Sequence, residues 1–182
     1  SRFVPVYLEY LGASALVIGA YGSLKSVLNS IYQYPGGVIS DKLGSKRALM
    51  LFTFLSILGY LVYLASNDWM TFLFGTLFVL IWDNMSQPAV FSLIGEELKK
   101  SKRVMGFSVQ SALKRIPIVI APPLGGYLIE KFGLKDGMKL GFLISILLAL
   151  SAIYFQRRFY EKSRIFNKRL SEGLLGVWRG MA

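Results

Sequence analysis

Five long apolar runs dominate this sequence and restrict the folds that it can adopt. About 20 apolar residues, at a helical rise of about 1.5 Å each, are needed to cross a hydrocarbon core of about 30 Å. Five segments reach or approach that length: 13–39, 48–65, 69–94, 105–129 and 138–155. The short connections between them favour antiparallel neighbours packed side by side. We therefore predict an all-α, polytopic transmembrane helix bundle with the lipid bilayer as its surroundings.

The composition supports a membrane protein and excludes several kinds of chemistry. Of 182 residues, 54% are hydrophobic and 17% are charged, and the net charge is +11. The basic residues cluster between apolar runs, as in cytoplasmic membrane loops, so we expect no nucleic-acid partner. The chain contains no His and no Cys, which excludes a Ser-His-Asp triad and a zinc site within it. We expect no metal, no cofactor and no enzymatic activity.

Lys and Arg are distributed unevenly over the loops and predict the orientation of the chain. Positions 42–47, 99–103 and 157–169 carry thirteen of them, all on one side of the predicted bundle, and the opposite side carries three. Because basic loops stay in the cytoplasm, segments 41–47, 95–104 and 156–182 are predicted to be cytoplasmic, in a protein of the plasma membrane. Residues 1–155 then form the transmembrane unit. Residues 156–182 mix basic and apolar side chains and predict an amphipathic cytoplasmic linker.

Two similar stretches end different apolar runs. GGVISDKLGSKR begins at Gly36, and GGYLIEKFGLK begins at Gly125. Asp41 and Glu130 are 89 residues apart, and three predicted spans separate them, so the two stretches face opposite sides of the membrane. Two three-span units of inverted orientation are common in secondary transporters. Chance recurrence of glycine and acid-base pairs is the alternative.

The first stretch resembles the loop motif between helices two and three of the major facilitator superfamily. Its matching positions are Gly37, Asp41, Lys42, Gly44, Lys46 and Arg47, with Ser45 where the family usually has a basic residue. The resemblance covers the whole chain but only half of a family member. It implies the end of helix one, helices two to six as a 3+3 inverted repeat, and the start of a linker to a second six-helix half.

The resemblance also implies a role for the loop. In the family the loop acid stabilises the outward-facing arrangement of the two halves, which implies a conformational switch at Asp41. The alternative is a plain cytoplasmic anchor with a turn at Gly44.

A second motif lies in the fourth complete span. Residues 121–126, APPLGG, are similar to the G-P-x-x-G-G end of a fifth-helix motif of proton-coupled antiporters in the family, with Ala121 and Pro117 as departures. Its prolines predict a bend, either as a gating hinge or as a packing shape. The residues of this predicted helix-bend motif are Pro117, Pro122, Pro123, Gly125 and Gly126.

Polar and charged residues inside the spans are the candidates for substrate binding or ion coupling. Each ionisable side chain at mid-membrane costs about 2.5–3.5 kcal/mol on insertion scales, so its presence requires a reason. The candidates are Lys25, Asn29, Asp83, Gln87, Gln110, Lys114 and Arg115. Three cations against one acid favour an organic or phosphorylated anion as the solute. Alternatively, helices outside this chain supply neutralising acids. Asp83 is predicted either to pair with one of the cations or to couple transport to protons.

These features predict a secondary active transporter that moves a small solute by alternating access. The prediction has two specific forms: transport of an organic anion, or proton-coupled efflux by an antiporter. A receptor or assembly subunit on the same fold is one alternative, since fold does not fix function. A membrane enzyme is a weaker one, because no nucleophile and base are paired in the sequence.

Overall fold

The computed structural model describes the backbone of residues 3–180 and the side chains of residues 3–158, and the described backbone is helical apart from short connections. The helices are α1 (Val4–Tyr10), α2 (Ala15–Leu43), α3 (Ser45–Ala65) and α4 (Trp69–Glu97), followed by a 3-10 turn (Lys100–Lys102) and a helical run (Arg103–Gly180). Gly133 interrupts that run with a φ of 79° and a ψ of 168°, so we divide it into α5 (103–132) and α6 (134–180). This architecture confirms the predicted fold class.

Local signals in the sequence set the helix ends. The Ser14 hydroxyl accepts a hydrogen bond from the Val17 amide at 3.4 Å, and the Asp68 carboxylate accepts one from the Thr71 amide at 2.8 Å. Such side chains satisfy amide groups that a helix start leaves without partners. Gly44, with a φ of 80°, is the single residue between α2 and α3 and makes the tight turn that joins them. Only glycine adopts that backbone conformation without steric cost.

Several of the helices are long and apolar enough to cross a bilayer. Among the described residues, three helical runs meet that description: Ser45–Ala65, Trp69–Glu97 and Lys100–Arg158. The last run contains both α5 and the first part of α6. Helix α2 is 29 residues long, about 43 Å at the usual rise, but Lys25, Asn29 and several serines reduce its mean hydropathy.

One end of the bundle is packed around aromatic rings. Tyr63 of α3 stacks on Phe72 of α4 with ring centroids 4.0 Å apart. Phe142 packs against both rings, and Tyr7 packs against Phe72 and Phe142. The Tyr63 and Thr76 hydroxyls form a hydrogen bond of 2.9 Å. We call this region, with the turns at 66–68 and 133, the aromatic end.

At the opposite end, α2 and α4 come into close backbone contact. A Cβ added to Gly36 would lie 2.6 Å from the Met85 Cα, which shows that no side chain fits there. Met85 also belongs to a small buried cluster with Ala48, Leu49, Phe52 and Ala89. The connections around Gly44 and after α4, residues 41–47 and 95–103 with their adjoining helix ends, are called loops below; they meet beyond this cluster and form the charged end.

The two similar stretches have the same backbone geometry in the structure. Gly44 and Gly133 are 89 residues apart, and each joins two helices with a φ near 80°. Gly36 of α2 approaches α4, whereas its counterpart Gly125 of α5 approaches the ring of Phe3 beside α1. In an inverted 3+3 repeat α5 is the counterpart of α2, and α1 is the counterpart of α4. The contact of α5 with the start of α1 therefore matches the contact of α2 with α4, and this observation supports the repeat.

The predicted amphipathic linker falls mostly outside the side chains that the structure describes. The helical backbone extends to Gly180, but side chains beyond residue 158 are outside the described part, as are residues 1–2 and 181–182 altogether. The division into 1–155 and 156–182 and the amphipathic face stay predictions.

Candidate functional site

The loop with the predicted switch motif is fastened to the end of α4. The Lys46 ammonium lies 2.5 Å from a Glu97 carboxylate oxygen, and the Ser45 hydroxyl donates a hydrogen bond of 3.0 Å to the Glu96 carboxylate. Ser45 is buried, so a small polar side chain fits this position, where the resembled motif usually has a basic residue. Glu96 and Glu97 were not singled out from the sequence. Their placement after the third apolar run, on the side predicted for Lys46, was the available signal.

Arg103 closes the end of α4 from the other direction. Its guanidinium donates to the Gly95 carbonyl at 2.6 Å and to the Leu98 carbonyl at 3.2 Å. The last carbonyls of a helix have no partner within the helix and carry partial negative charge, so a cation is favourable there. The loop 95–103 therefore forms a fixed base for the loop 41–47.

Other residues of the switch motif have different environments. Asp41 and Lys42 are exposed at the end of α2. Gly37 is less tightly packed than Gly36, since a Cβ added there would lie 4.0 Å from the Pro88 Cβ. The loop thus presents an exposed carboxylate from an anchored backbone. Its switch role stays a prediction at this stage.

A cleft of about 460 Å³ lies between α4 and α5. Four of the predicted candidates line it, namely Gln87, Gln110, Lys114 and Arg115. The remaining lining residues are Phe91, Ser111, Ile118 and Val119. These remaining four residues were not among the predicted candidates. Mostly apolar residues at helical spacing cannot be distinguished in a sequence from a stripe that faces lipid. Spacings of four residues, from 87 to 91, from 111 to 115, from 114 to 118 and from 115 to 119, were the sign of a shared face.

The other candidates lie elsewhere. Lys25 and Asn29 are partly buried on α2 and do not belong to the lining of this cleft. Asp83 is exposed on α4, near enough to Tyr21 and Tyr60 for electrostatic interaction. Among residues 3–158, Asp83 forms no ion pair with Lys25, Lys114 or Arg115, so the predicted pairing is not formed here. Its proton-coupling role stays a prediction.

The backbone of α5 remains helical through Pro117, Pro122 and Pro123. At the end of this proline segment, a Cβ added to Gly125 would lie 3.0 Å from the Phe3 ring, and one at Gly126 would lie 3.8 Å from it. The segment therefore packs closely on Phe3, the residue immediately before α1. A hinge function for it stays a prediction.

Comparison with known proteins agrees with this architecture. A family model described as Major Facilitator Superfamily matches residues 3–179. The chain belongs to the major facilitator superfamily. It is therefore part of a membrane transport family, and its apolar helices are those of an integral membrane protein.

Individual members of the superfamily show moderate similarity. The chain is 30% identical over 131 residues to the uncharacterized MFS-type transporter YqjV of Bacillus subtilis, covering 69% of this chain and 31% of that protein. It is 26% identical over 172 residues to the uncharacterized MFS-type transporter MJ1560 of Methanocaldococcus jannaschii, covering 91% of this chain and 44% of the relative. It is 22% identical over 127 residues to the quinolone resistance protein NorA of Staphylococcus aureus, covering 70% and 33%.

The chain thus spans between 31% and 44% of the length of these relatives. No solved structure matches it. Membership in this superfamily points to a transporter rather than an enzyme, and superfamily members act within the membrane on small molecules.

Proposed function

We propose that this chain is the N-terminal half of a secondary transporter that moves a small solute by alternating access. Superfamily membership supports transport, and the inverted repeat of α2–α3 and α5–α6 supports the mechanism. The solute site lies between the helices near the bilayer midplane, where the cleft between α4 and α5 is the candidate. Because one relative is named a quinolone resistance protein, export is the direction to assay first.

The observation that carries the mechanism is the exposed carboxylate on an anchored loop. Lys46 and Ser45 hold the loop against Glu97 and Glu96, whereas Asp41 projects from the same loop and is exposed. An acid at that position can bind the positive N-terminus of a helix in the second half. Such a contact stabilises one arrangement of the halves, and its loss releases the other. We assign Asp41 to the outward-facing arrangement.

Cysteine labelling in the full-length protein tests this assignment. Residues 1–182 contain no Cys, so Ser111→Cys in the cleft, with any cysteine elsewhere in the full-length protein replaced by serine, provides a reporter that a membrane-impermeant thiol reagent can modify from either side. Asp41→Asn should raise the ratio of cytoplasmic to external labelling about fivefold or more, the usual range of a coupling between states. Solute transport in vesicles should fall as this ratio rises.

Glu130→Gln is the matched control, since Glu130 is the counterpart of Asp41 in the second unit. It removes one exposed carboxylate at the opposite end of the bundle and should leave the labelling ratio unchanged. Equal ratios for the wild type and Asp41→Asn would refute the switch. Labelling from one side only, under all conditions, would refute alternating access itself.

A further inference from the structure

The cations of the α4–α5 cleft lie at the depth of the bilayer centre. Lys114 and Arg115 are eleven and twelve residues into α5, about 17 Å from its start at the usual rise. Because α4 runs antiparallel to α5 and ends at Glu97, Gln87 lies at nearly the same level. The hydrocarbon core is about 30 Å thick, so this polar level is near its middle.

Nothing in the described part of the chain neutralises these two cations. Neither Lys114 nor Arg115 forms an ion pair with a carboxylate among residues 3–158. A cation at mid-membrane is costly unless an anion or another polar partner compensates it. An ammonium, a guanidinium and the amides of Gln87 and Gln110 together provide donors for one small anionic group.

The walls on both sides of this polar level are apolar. Phe91 lies one turn closer to the charged end than Gln87, and Ile118 and Val119 lie one turn farther along α5 than the cations. A volume of about 460 Å³ is within the range of sites for small organic molecules, which are mostly apolar with a few placed polar groups. A compact polyanion such as phosphate would leave acceptor oxygens against these apolar walls, which is unfavourable.

We infer that the cleft binds an amphipathic organic anion, with a carboxylate or sulfonate group on an apolar ring frame. Lys114 and Arg115 hold the anionic group, Gln87 and Gln110 orient it, and Phe91, Ile118 and Val119 contact the frame. This inference rests on the proposed transport function and specifies the class of solute.

Equilibrium dialysis tests the inference on the full-length protein in phosphatidylcholine nanodiscs. The three radiolabelled probes are naphthalene-1-sulfonate, the naphthyltrimethylammonium cation and inorganic phosphate, with empty nanodiscs as the blank. Saturable binding of one sulfonate per chain is expected, without saturable binding of the cation or of phosphate. Lys114→Gln and Arg115→Gln should each weaken sulfonate binding about tenfold, because each removes a charge-assisted hydrogen bond.

Lys135→Gln is the matched control, since it removes one exposed positive charge on α6, outside the cleft. It should leave sulfonate binding unchanged. Equal loss in Lys135→Gln and Lys114→Gln would show a general surface-charge effect and overturn the inference. Tight phosphate binding, equal binding of the two naphthyl probes or no saturable sulfonate binding would also overturn it. These three outcomes are measured on the wild type, so they do not depend on whether a variant folds.

The Ser111→Cys labelling experiment separates this inference from the transport proposal. If labelling still alternates between the two sides but the sulfonate does not bind, the inference fails and the transporter proposal stands. If labelling does not alternate either, both fail.

Discussion

At the charged end of the molecule, α3 and α4 are joined by charged and polar side chains, whereas at the aromatic end the same two helices meet through stacked rings. Lys46 and Ser45 of α3 bond to Glu97 and Glu96 of α4. About 20 residues away, Tyr63 of α3 stacks on Phe72 of α4, and the Tyr63 hydroxyl bonds to Thr76. Ring packing is insensitive to salt and pH, whereas ionic contacts respond to both.

The comparison extends to the two repeated stretches, since one lies at each end. Gly44 and Gly133 adopt nearly the same φ and join helices in the same way. Their surroundings differ: Lys46 at the charged end is ion-paired with Glu97, while at the aromatic end Lys131, the counterpart of Lys42, lies over the rings of Tyr127 and Phe132 at 5.8 and 5.6 Å. The repeat therefore provides a common backbone, and side chains make one copy responsive to charge.

The largest expected effect comes from Gly36→Ala. The added methyl group would lie 2.6 Å from the Met85 Cα, so α2 and α4 must separate. Overpacking of this kind costs about 1–3 kcal/mol in free energy of unfolding. The measurement is unfolding of the full-length protein by sodium dodecyl sulfate in mixed micelles.

Two glycines provide controls for this substitution. Gly37→Ala introduces a methyl group 4.0 Å from its nearest neighbour, the Pro88 Cβ, and should not destabilise the protein. Gly125→Ala meets the Phe3 ring at 3.0 Å, and a side chain can rotate where a backbone cannot, so its effect should be smaller than that of Gly36→Ala. If Gly125→Ala were the more harmful, the backbone contact at Gly36 would not be the tighter of the two glycine contacts.

The helices and the repeat could be predicted from the sequence because both can be recognised from patterns along the chain, without knowing which helix faces meet. Apolar length predicted the five long helices, and the spacing of Asp41 and Glu130 predicted two equivalent units. The aromatic cluster and the glycine contacts depend on which helix faces meet, and hydropathy does not contain that information.

The lining of the α4–α5 cleft could likewise be predicted only in part from the sequence. Lys25, Lys114 and Arg115 were equivalent in the sequence, because each is a cation inside an apolar run. The structure places only Lys114 and Arg115 in the cleft, since α2 lies away from its lining. Phe91 could not be distinguished from a lipid-facing side chain until the residues of α5 that line the cleft with it were known.

A smaller effect is expected for the ion pair of Lys46 and Glu97. The two side chains are 28% and 53% exposed, and a pair of such exposure contributes about 0.2–1 kcal/mol. A double-mutant cycle with Lys46→Ala and Glu97→Ala measures this coupling and subtracts the other contacts of each side chain. The coupling should decrease in about 1 M salt, since the Debye length is then only about 3 Å.

The same salt series on Tyr63→Phe, which removes the hydroxyl bond to Thr76 at the aromatic end, is the control. Its effect on unfolding should not depend on salt. A salt-independent coupling between Lys46 and Glu97 would remove the proposed difference between the ends.

The smallest expected effect is a pH response from Asp68, a carboxylate that caps a helix at the aromatic end. Asp68 accepts a hydrogen bond from the Thr71 amide and another from the Thr71 hydroxyl, both at 2.8 Å. The Thr71 amide, followed by its hydroxyl, lowers the pKa of Asp68 below its ordinary value of 3.8. The folded protein stabilises the ionised Asp68 carboxylate more than the unfolded chain does. The contribution of this cap to the stability of the folded protein is therefore fully present at pH values above the ordinary pKa of Asp68. It is lost as the pH falls through the lowered pKa.

Asp68→Asn isolates this contribution, because asparagine caps a helix about as well as aspartate but does not titrate. The difference in melting temperature between the wild type and Asp68→Asn should favour the wild type more at pH 7 than at pH 3. Asp68 is fully exposed, so the change should be slight, and high salt should reduce it further. A difference in melting temperature that does not change between pH 7 and pH 3 would mean that the cap acts without its charge. The aromatic end would then depend on hydrogen bonds and ring packing alone, and the contrast between the ends would be sharper.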